Sequence, residues 1–204
     1  MYKKPVIIFE GVEASGKSTN IKIVSKYLKN IKRNFVKIRE PGGSKFSEKI
    51  RKILLDKKSN LNNKTDLLLM LASRSENIDK ILKKNYNKKI ILIDRFSDST
   101  LAYQHFGMGL NFKMIKEINN YIVKDFKPSL TFLSIVKKKD MIKRLKFRNH
   151  KNKYDNFQYN FYKKVQTGYL KLSKNKSNYI ILDSSKDNVK NISKKIIKSI
   201  QKII

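Results

Sequence analysis

Pro5-Val-Ile-Ile-Phe-Glu-Gly-Val-Glu-Ala-Ser-Gly-Lys-Ser-Thr19 is the stretch whose reading decides the fold. Pro5 to Phe9 is a short, β-branched, apolar run, the pattern of a parallel strand buried on both faces. Gly11 to Ser18 then fit G-x-x-x-x-G-K-[ST], the phosphate-binding P-loop. Ile21, Val24, Ser25 and Leu28 follow near helical spacing. Strand, glycine loop and helix in that order are the context the motif requires.

The residue types explain the chemistry. Gly11 and Gly16 let the backbone turn tightly, so that successive N–H groups through Val12, Glu13, Ala14 and Ser15 can face phosphate oxygens. The helix entered at Lys17, Ser18 and Thr19 aims the positive end of its dipole at the same anion. Lys17 can reach the β- and γ-phosphates, and the Ser18 hydroxyl suits Mg²⁺. The motif therefore predicts ATP and Mg²⁺ but not the phosphoryl acceptor, because GTPases, motor ATPases and small-molecule kinases share it.

Composition bounds the rest. A chain of 204 residues is expected to form one domain, or one domain with a mobile insert. There are no cysteines, and the two histidines, His105 and His150, are too few for a histidine metal centre. No apolar run approaches the ~20 residues of a membrane span, so the cytoplasm is the default. The formal net charge of +32 invites a nucleic-acid reading. Yet the lysines are spread along the chain, and lysine, asparagine and isoleucine are all abundant, a bias that an AT-rich genome would suffice to explain. A solvated lysine face is the reading adopted, and nucleic-acid binding is not expected.

Strands alternate with helices along the chain. Phe35 to Ile38 reads as a strand, followed by the rigid turn Arg39-Glu-Pro-Gly-Gly43. Residues 44–56 and 65–84 carry apolar side chains at helical spacing. Ile90 to Ile93, the most apolar run, is expected as a central strand ending at Asp94-Arg95. Helices are predicted over 97–106 and 112–124, and a strand over Leu130 to Ile135. A very polar segment, 143–156, follows. A helix over 157–173, a last strand over Tyr179 to Leu182 and an amphipathic helix over 187–203 close the chain. This is an α/β fold with a parallel sheet of about five strands. Ligands of such sheets bind at the carboxyl ends of strands. There the P-loop, Arg39, Asp94 and Arg95 converge, more cation than one nucleotide needs, which suggests a second phosphate-bearing ligand.

These elements resemble the thymidylate kinase family, nucleoside-monophosphate kinases that make dTDP from dTMP and ATP. The resemblance covers nearly the whole chain. It rests on FEGVEASGKST at 9–19, IREPGGSKFSEKIRKILL at 38–55, LASRSE at 71–76, DRFSDSTLAYQ at 94–104 and the basic segment from Arg144 to Asp155. It implies the P-loop nucleoside-monophosphate kinase fold. Glu13-Ala14 is similar to the bacterial branch, in which a mobile lid, here about 143–156, carries catalytic basic residues. The resemblance implies Lys17, Arg39, Asp94, Arg95 and Arg148 as catalytic residues, with Arg144 beside ATP and Ser18 and Asp94 around Mg²⁺. Glu13 would face the deoxyribose 3′-hydroxyl, and Arg39 and Arg95 would hold the monophosphate. Arg74 and Thr100 would meet the thymine edge, and Tyr103 would crowd the place of a ribose 2′-hydroxyl, with Ser99 and Gln104 alongside. Lys17 is expected to face solvent in the empty site, and the loop Ser184 to Asp187 to lie near adenine. A homodimer is implied as well.

The chain departs from the family at three places, one of them the helix after the lid, where Lys163 and Lys164 accompany Phe161, Tyr162 and Tyr169, aromatics expected as helix-face packing. Met70 stands where a phenylalanine usually stacks on thymine, and Asn152-Lys153-Tyr154-Asp155 stands where Asp-Arg is usual. That stretch also mimics the guanine-reading N-K-x-D of GTPases. It follows the most polar part of the chain rather than a buried strand, and no D-x-x-G switch follows the third strand. Alternatives of substrate remain: another deoxynucleoside or nucleotide kinase of this fold, or, in a different class, a basic nucleic-acid-binding ATPase.

Overall fold

Strand β1 (Val6–Gly11) occupies the middle of a five-stranded, wholly parallel sheet ordered β2-β3-β1-β4-β5. The computed structural model describes residues 4–124, 126–148 and 152–204. Its other strands are β2 (Phe35–Arg39), β3 (Ile90–Asp94), β4 (Leu130–Ile135) and β5 (Tyr179–Asp183). Ile90 to Ile93 thus form an interior strand of the sheet, as expected, next to its middle strand. β1 has alternating faces, both apolar. Ile7 and Phe9 pack with Val24 and Leu28 of α1 (Lys17–Asn30) and Ile196 and Ile200 of α9 (Val189–Gln201). Val6 and Ile8 pack with Ile91, Ile93, Phe96 and Phe126 on the other face. Each such buried side chain contributes roughly 1.5–3 kcal/mol.

Three helical stretches differ from the sequence reading. The helix expected over 65–84 is α3 (Asn63–Asn77), a π-helical stretch Ile78–Leu82 and the short α4 (Lys83–Asn85). Its start is set by Asn62, whose side chain accepts from the Thr65 N–H at 3.0 Å. The helix expected over 97–106 is α5 (Ser97–Thr100) continued as a π-helix, Leu101–Gly107. Residues Lys138–Lys146 form α7, a helix the charge-rich sequence conceals. Only Met141 in it is buried, while Asp140 in the first turn and Lys143, Arg144 and Lys146 in the last complement its dipole. Residues 143–146 of the expected lid are therefore helix. Residues 149–151 of it lie outside the described residues. The remaining helices are α2 (Lys45–Leu55), α6 (Phe112–Val123) and α8 (Tyr159–Ser173).

Parallel pairing brings the polar residues to one rim. Arg39 is in register with Asp94, and Asp94 with Phe9. The ends of β2, β3 and β1 therefore stand side by side.

Candidate active site

A cavity of about 590 Å³ opens over that rim. The P-loop forms one wall. Gly11, at φ +137°, is the position that only glycine can fill: a Cβ there would meet the Ser134 carbonyl oxygen at 2.2 Å. Lys17 is 8% exposed rather than solvent-facing. Its Nζ donates to the Gly11 and Val12 carbonyls at 2.8 and 2.9 Å. Burial, then Arg95, lower its pKa to about 8. Ser18 and Thr19 also line the cavity.

Arg144 braces this wall. From the last turn of α7 it donates to the Ala14 carbonyl at 3.0 Å, the Ser184 hydroxyl at 2.8 Å and the Ser184 carbonyl at 2.8 Å. It thereby ties the P-loop to the loop after β5, and belongs to a helix rather than to a loop. Ser184 contacts the site through Arg144 and does not itself line the cavity.

The cationic wall comes from β2, β3 and α2. Arg39 is half exposed and pairs with Glu48 at 3.1 Å. Arg95 has a left-handed backbone, φ +67°. A non-glycine residue in that region stores strain, as functional positions often do. Its guanidinium donates to the Gly11 carbonyl at 2.8 Å and Glu13 Oε1 at 2.7 Å, and lies 5.0 Å over the Tyr103 ring. Burial opposes its charge, but Tyr103 and Glu13 outweigh that and hold its pKa up. The Tyr103 hydroxyl donates to Glu13 Oε2. Both Glu13 oxygens are thus engaged. Arg51 of α2, overlooked in the sequence, lines the same cavity and donates to the Pro41 carbonyl at 2.6 Å. Burial, then Arg39, lower its pKa to about 10. The two cations compete, and a dianion between them relieves both.

Arg74 is 2% exposed. Its Nε–H donates to Glu40 at 2.7 Å, one terminal nitrogen donates to Thr100 at 2.8 Å and Asn119 at 2.6 Å, and the other donates to the Phe96 carbonyl at 3.0 Å. One of its five N–H groups is left over. Arg74 is thus chiefly a clamp joining α3, the turn after β2, the end of β3 and α6. Burial pushes Glu40 up against the pull of Arg74. Met70, one turn before Arg74, and Gln104 line the cavity too.

Behind this layer lies Glu10, which accepts from the Phe96 N–H at 2.9 Å, from Ser99 and from the Tyr169 hydroxyl at 3.1 Å. Burial pushes its carboxyl up to about 7. Ser99, expected at the substrate, lines the cavity, and its hydroxyl donates to Glu10. Tyr169, expected as helix-face packing, joins this polar cluster. Arg148 pairs with Asp155, and Asp155 also accepts the Asn152 N–H at 2.8 Å. Asp94 Oδ1 is buried and has no partner among the described residues. With the Ser18 hydroxyl at the same cavity, it offers hard oxygen donors of the kind Mg²⁺ takes.

The chain is similar to known proteins over nearly its whole length. Residues 9–196 match the thymidylate kinase family model. The thymidylate kinase of Thermosipho africanus is 39% identical over 186 residues, covering 90% of this chain and 92% of the relative. That of Mycoplasma mobile is 38% identical and covers 97% and 98%. A crystal structure of thymidylate kinase from Ehrlichia chaffeensis superposes with a TM-score of 0.78 at 31% identity, over 97% of this chain and 98% of that one. The chain belongs to the thymidylate kinase family.

Proposed function

We propose that this chain transfers the γ-phosphoryl group of ATP to dTMP, giving ADP and dTDP. The observation that carries the reading is one cavity with two facing anion sites. One is the P-loop, and the other is Arg39, Arg51 and Arg95. A switch GTPase or a motor needs only the first.

The residues divide the work. The loop amides and Lys17 hold the ATP phosphates. To do so Lys17 gives up the Gly11 and Val12 carbonyls, and the phosphate restores the charge that burial disfavours. The three arginines hold the dTMP phosphate so that one of its oxygens attacks the γ-phosphorus as the bond to ADP breaks. Such a transfer needs alignment and neutralised charge more than covalent help. Asp94 and Ser18 would hold Mg²⁺, which when bound neutralises charge on the ATP phosphates. Glu13 and Tyr103 take the sugar. Met70, Thr100, Gln104 and the remaining N–H of Arg74 take the base. Arg148 and Lys153, on the polar segment before α8, act as a lid that excludes water from the reacting phosphates.

The protein acts as a homodimer in the cytoplasm. Leu68 of α3, and Met114 and Tyr121 two turns apart on α6, are exposed apolar surface that such a contact would cover. Among the described residues no helix is long and apolar enough to cross a membrane. ADP release is the test. With ATP and Mg²⁺, dTMP must raise it well above background, and thymidine or single-stranded DNA must not. Stimulation by DNA instead would favour the basic ATPase reading.

A further inference from the structure

Asp66 lies in the first turn of α3, is 1% exposed and does not line the cavity. Both of its oxygens are nevertheless committed to side chains that do. Oδ1 accepts from Gln104 Nε2 at 2.9 Å. Oδ2 accepts the Tyr154 hydroxyl at 2.7 Å and has Lys153 Nζ at 3.5 Å. A carboxylate only accepts. The Gln104 amide must therefore turn its NH₂ toward Asp66, which leaves its carbonyl oxygen as the free end. No described residue donates to that oxygen. Burial and the Asp66 charge push the Tyr154 hydroxyl's pKa up, so it stays a donor and cannot relax this arrangement.

We propose that Asp66 is a positioning residue for base selection. It fixes the Gln104 amide with its carbonyl oxygen presented to the base, so that the pocket accepts the imide N–H of thymine or uracil. Cytosine offers a bare ring nitrogen at that place, and two acceptors would face each other. The inference rests on the base lying beside Gln104, as proposed above. Asp66, Met70 and Arg74 recur at four-residue intervals along one face of α3, so the same helix face sets the amide, the apolar contact and the guanidinium clamp. Because Tyr154 and Lys153 hold the other oxygen, the same carboxylate joins the base reader to the segment that follows α7.

Asp66→Asn tests this. Lys153 favours a carbonyl oxygen on its side, which places the new NH₂ against Gln104. The Gln104 amide must then turn over and present N–H groups to the base. The preference for dTMP over dCMP, taken as the ratio of kcat/KM or of binding affinity, should fall roughly tenfold to a hundredfold, the worth of one misdirected buried hydrogen bond. dUMP, which keeps the imide, should weaken in parallel with dTMP. Asp66→Glu retains a carboxylate and should keep most of the preference. If Asp66→Asn weakens dTMP and dCMP equally, Asp66 only supports the fold and the proposal is wrong. Should Asp66→Asn not fold, Gln104→Met removes the acceptor directly, and an unchanged dTMP-to-dCMP ratio there overturns the proposal as well. Absence of dTMP phosphorylation by the unaltered protein would instead sink the functional reading on which it rests.

Discussion

Replacing Arg74 by alanine should destabilise the protein before it says anything about the base. The side chain is 2% exposed and donates to Glu40, Thr100, Asn119 and the Phe96 carbonyl. Arg74 supplies the ion pair to Glu40 Oε2, and Glu40 Oε1 has no partner among the described residues. Alanine leaves a buried carboxylate uncompensated, a loss of about 3–5 kcal/mol. The three other acceptors add to this, but the void lies beside an open cavity, and water entering it offsets part of their loss. That is a large share of a total stability of roughly 5–15 kcal/mol. The pH dependence has a definite sign. Burial already raises Glu40, and without Arg74 it rises further. A group raised in the folded state favours folding below its unfolded pKa and loses that contribution as pH rises. The deficit of the variant relative to wild type should therefore shrink on acidification. Urea unfolding followed by circular dichroism, at mildly acid and mildly alkaline pH, measures both. Arg74→Lys, which keeps a charge near Glu40 but not the fork, should fall between. An unchanged unfolding midpoint in Arg74→Ala, or a deficit that grows in acid, refutes the reasoning.

Four further outcomes are expected. Lys17→Met should lower turnover at least ~10²-fold by removing charge from the transferring phosphate, yet leave the melting temperature level or higher, because a lysine lowered to about 8 costs stability below that pH. A melting temperature far below wild type would show instead that Lys17 pins the loop. The part of the stability that Glu10 contributes should be lost as pH rises from 4.5 to about 7, the window between its ordinary and folded values, and Glu10→Gln should remove that part of the slope in pH-dependent melts. Met70→Phe should tighten dTMP by calorimetry, because a rigid ring offers stacking area at small entropic cost; strong weakening would mean the pocket is shaped around the thioether. Arg148→Ala should lower kcat more than dTMP affinity in steady-state kinetics, and equal losses would place Arg148 in ground-state binding.

The fold was legible because its signals are local. A P-loop flanked by an apolar strand and a periodic helix names its own neighbours, and strands alternating with helices admit little but a parallel sheet. What escaped notice depends on distant partners. Helix α7 carries too few apolar residues to show a period, and it is held by Met141 and by Arg144 reaching across to the P-loop. The π-helical stretches after Asn77 and Thr100 have no sequence signature in a continuous helical pattern.

The site shows the same division, and the arginines show it best. Of 48 basic side chains seven are arginine, and six of those seven line one cavity. In a chain whose composition pushes cations toward lysine, an arginine that persists marks a place where the planar fork is needed. That signal was present for Arg51 and went unused, because Arg51 sits beside Ile50, Ile53 and Leu54 and reads as the polar edge of an amphipathic helix. The type of residue does not reveal its task, however. Arg39 and Arg74 each follow apolar residues of a strand or helix. Yet Arg39 meets one exposed acid, and Arg74 meets Glu40, Thr100, Phe96 and Asn119, brought from three separate parts of the chain. Asp66 is the limiting case. A lone acid in the first turn of a helix is fully explained by the helix dipole. Only the arrival of residues 104, 153 and 154 around it shows that one carboxylate orients an amide on the pocket wall and grips the segment beyond α7.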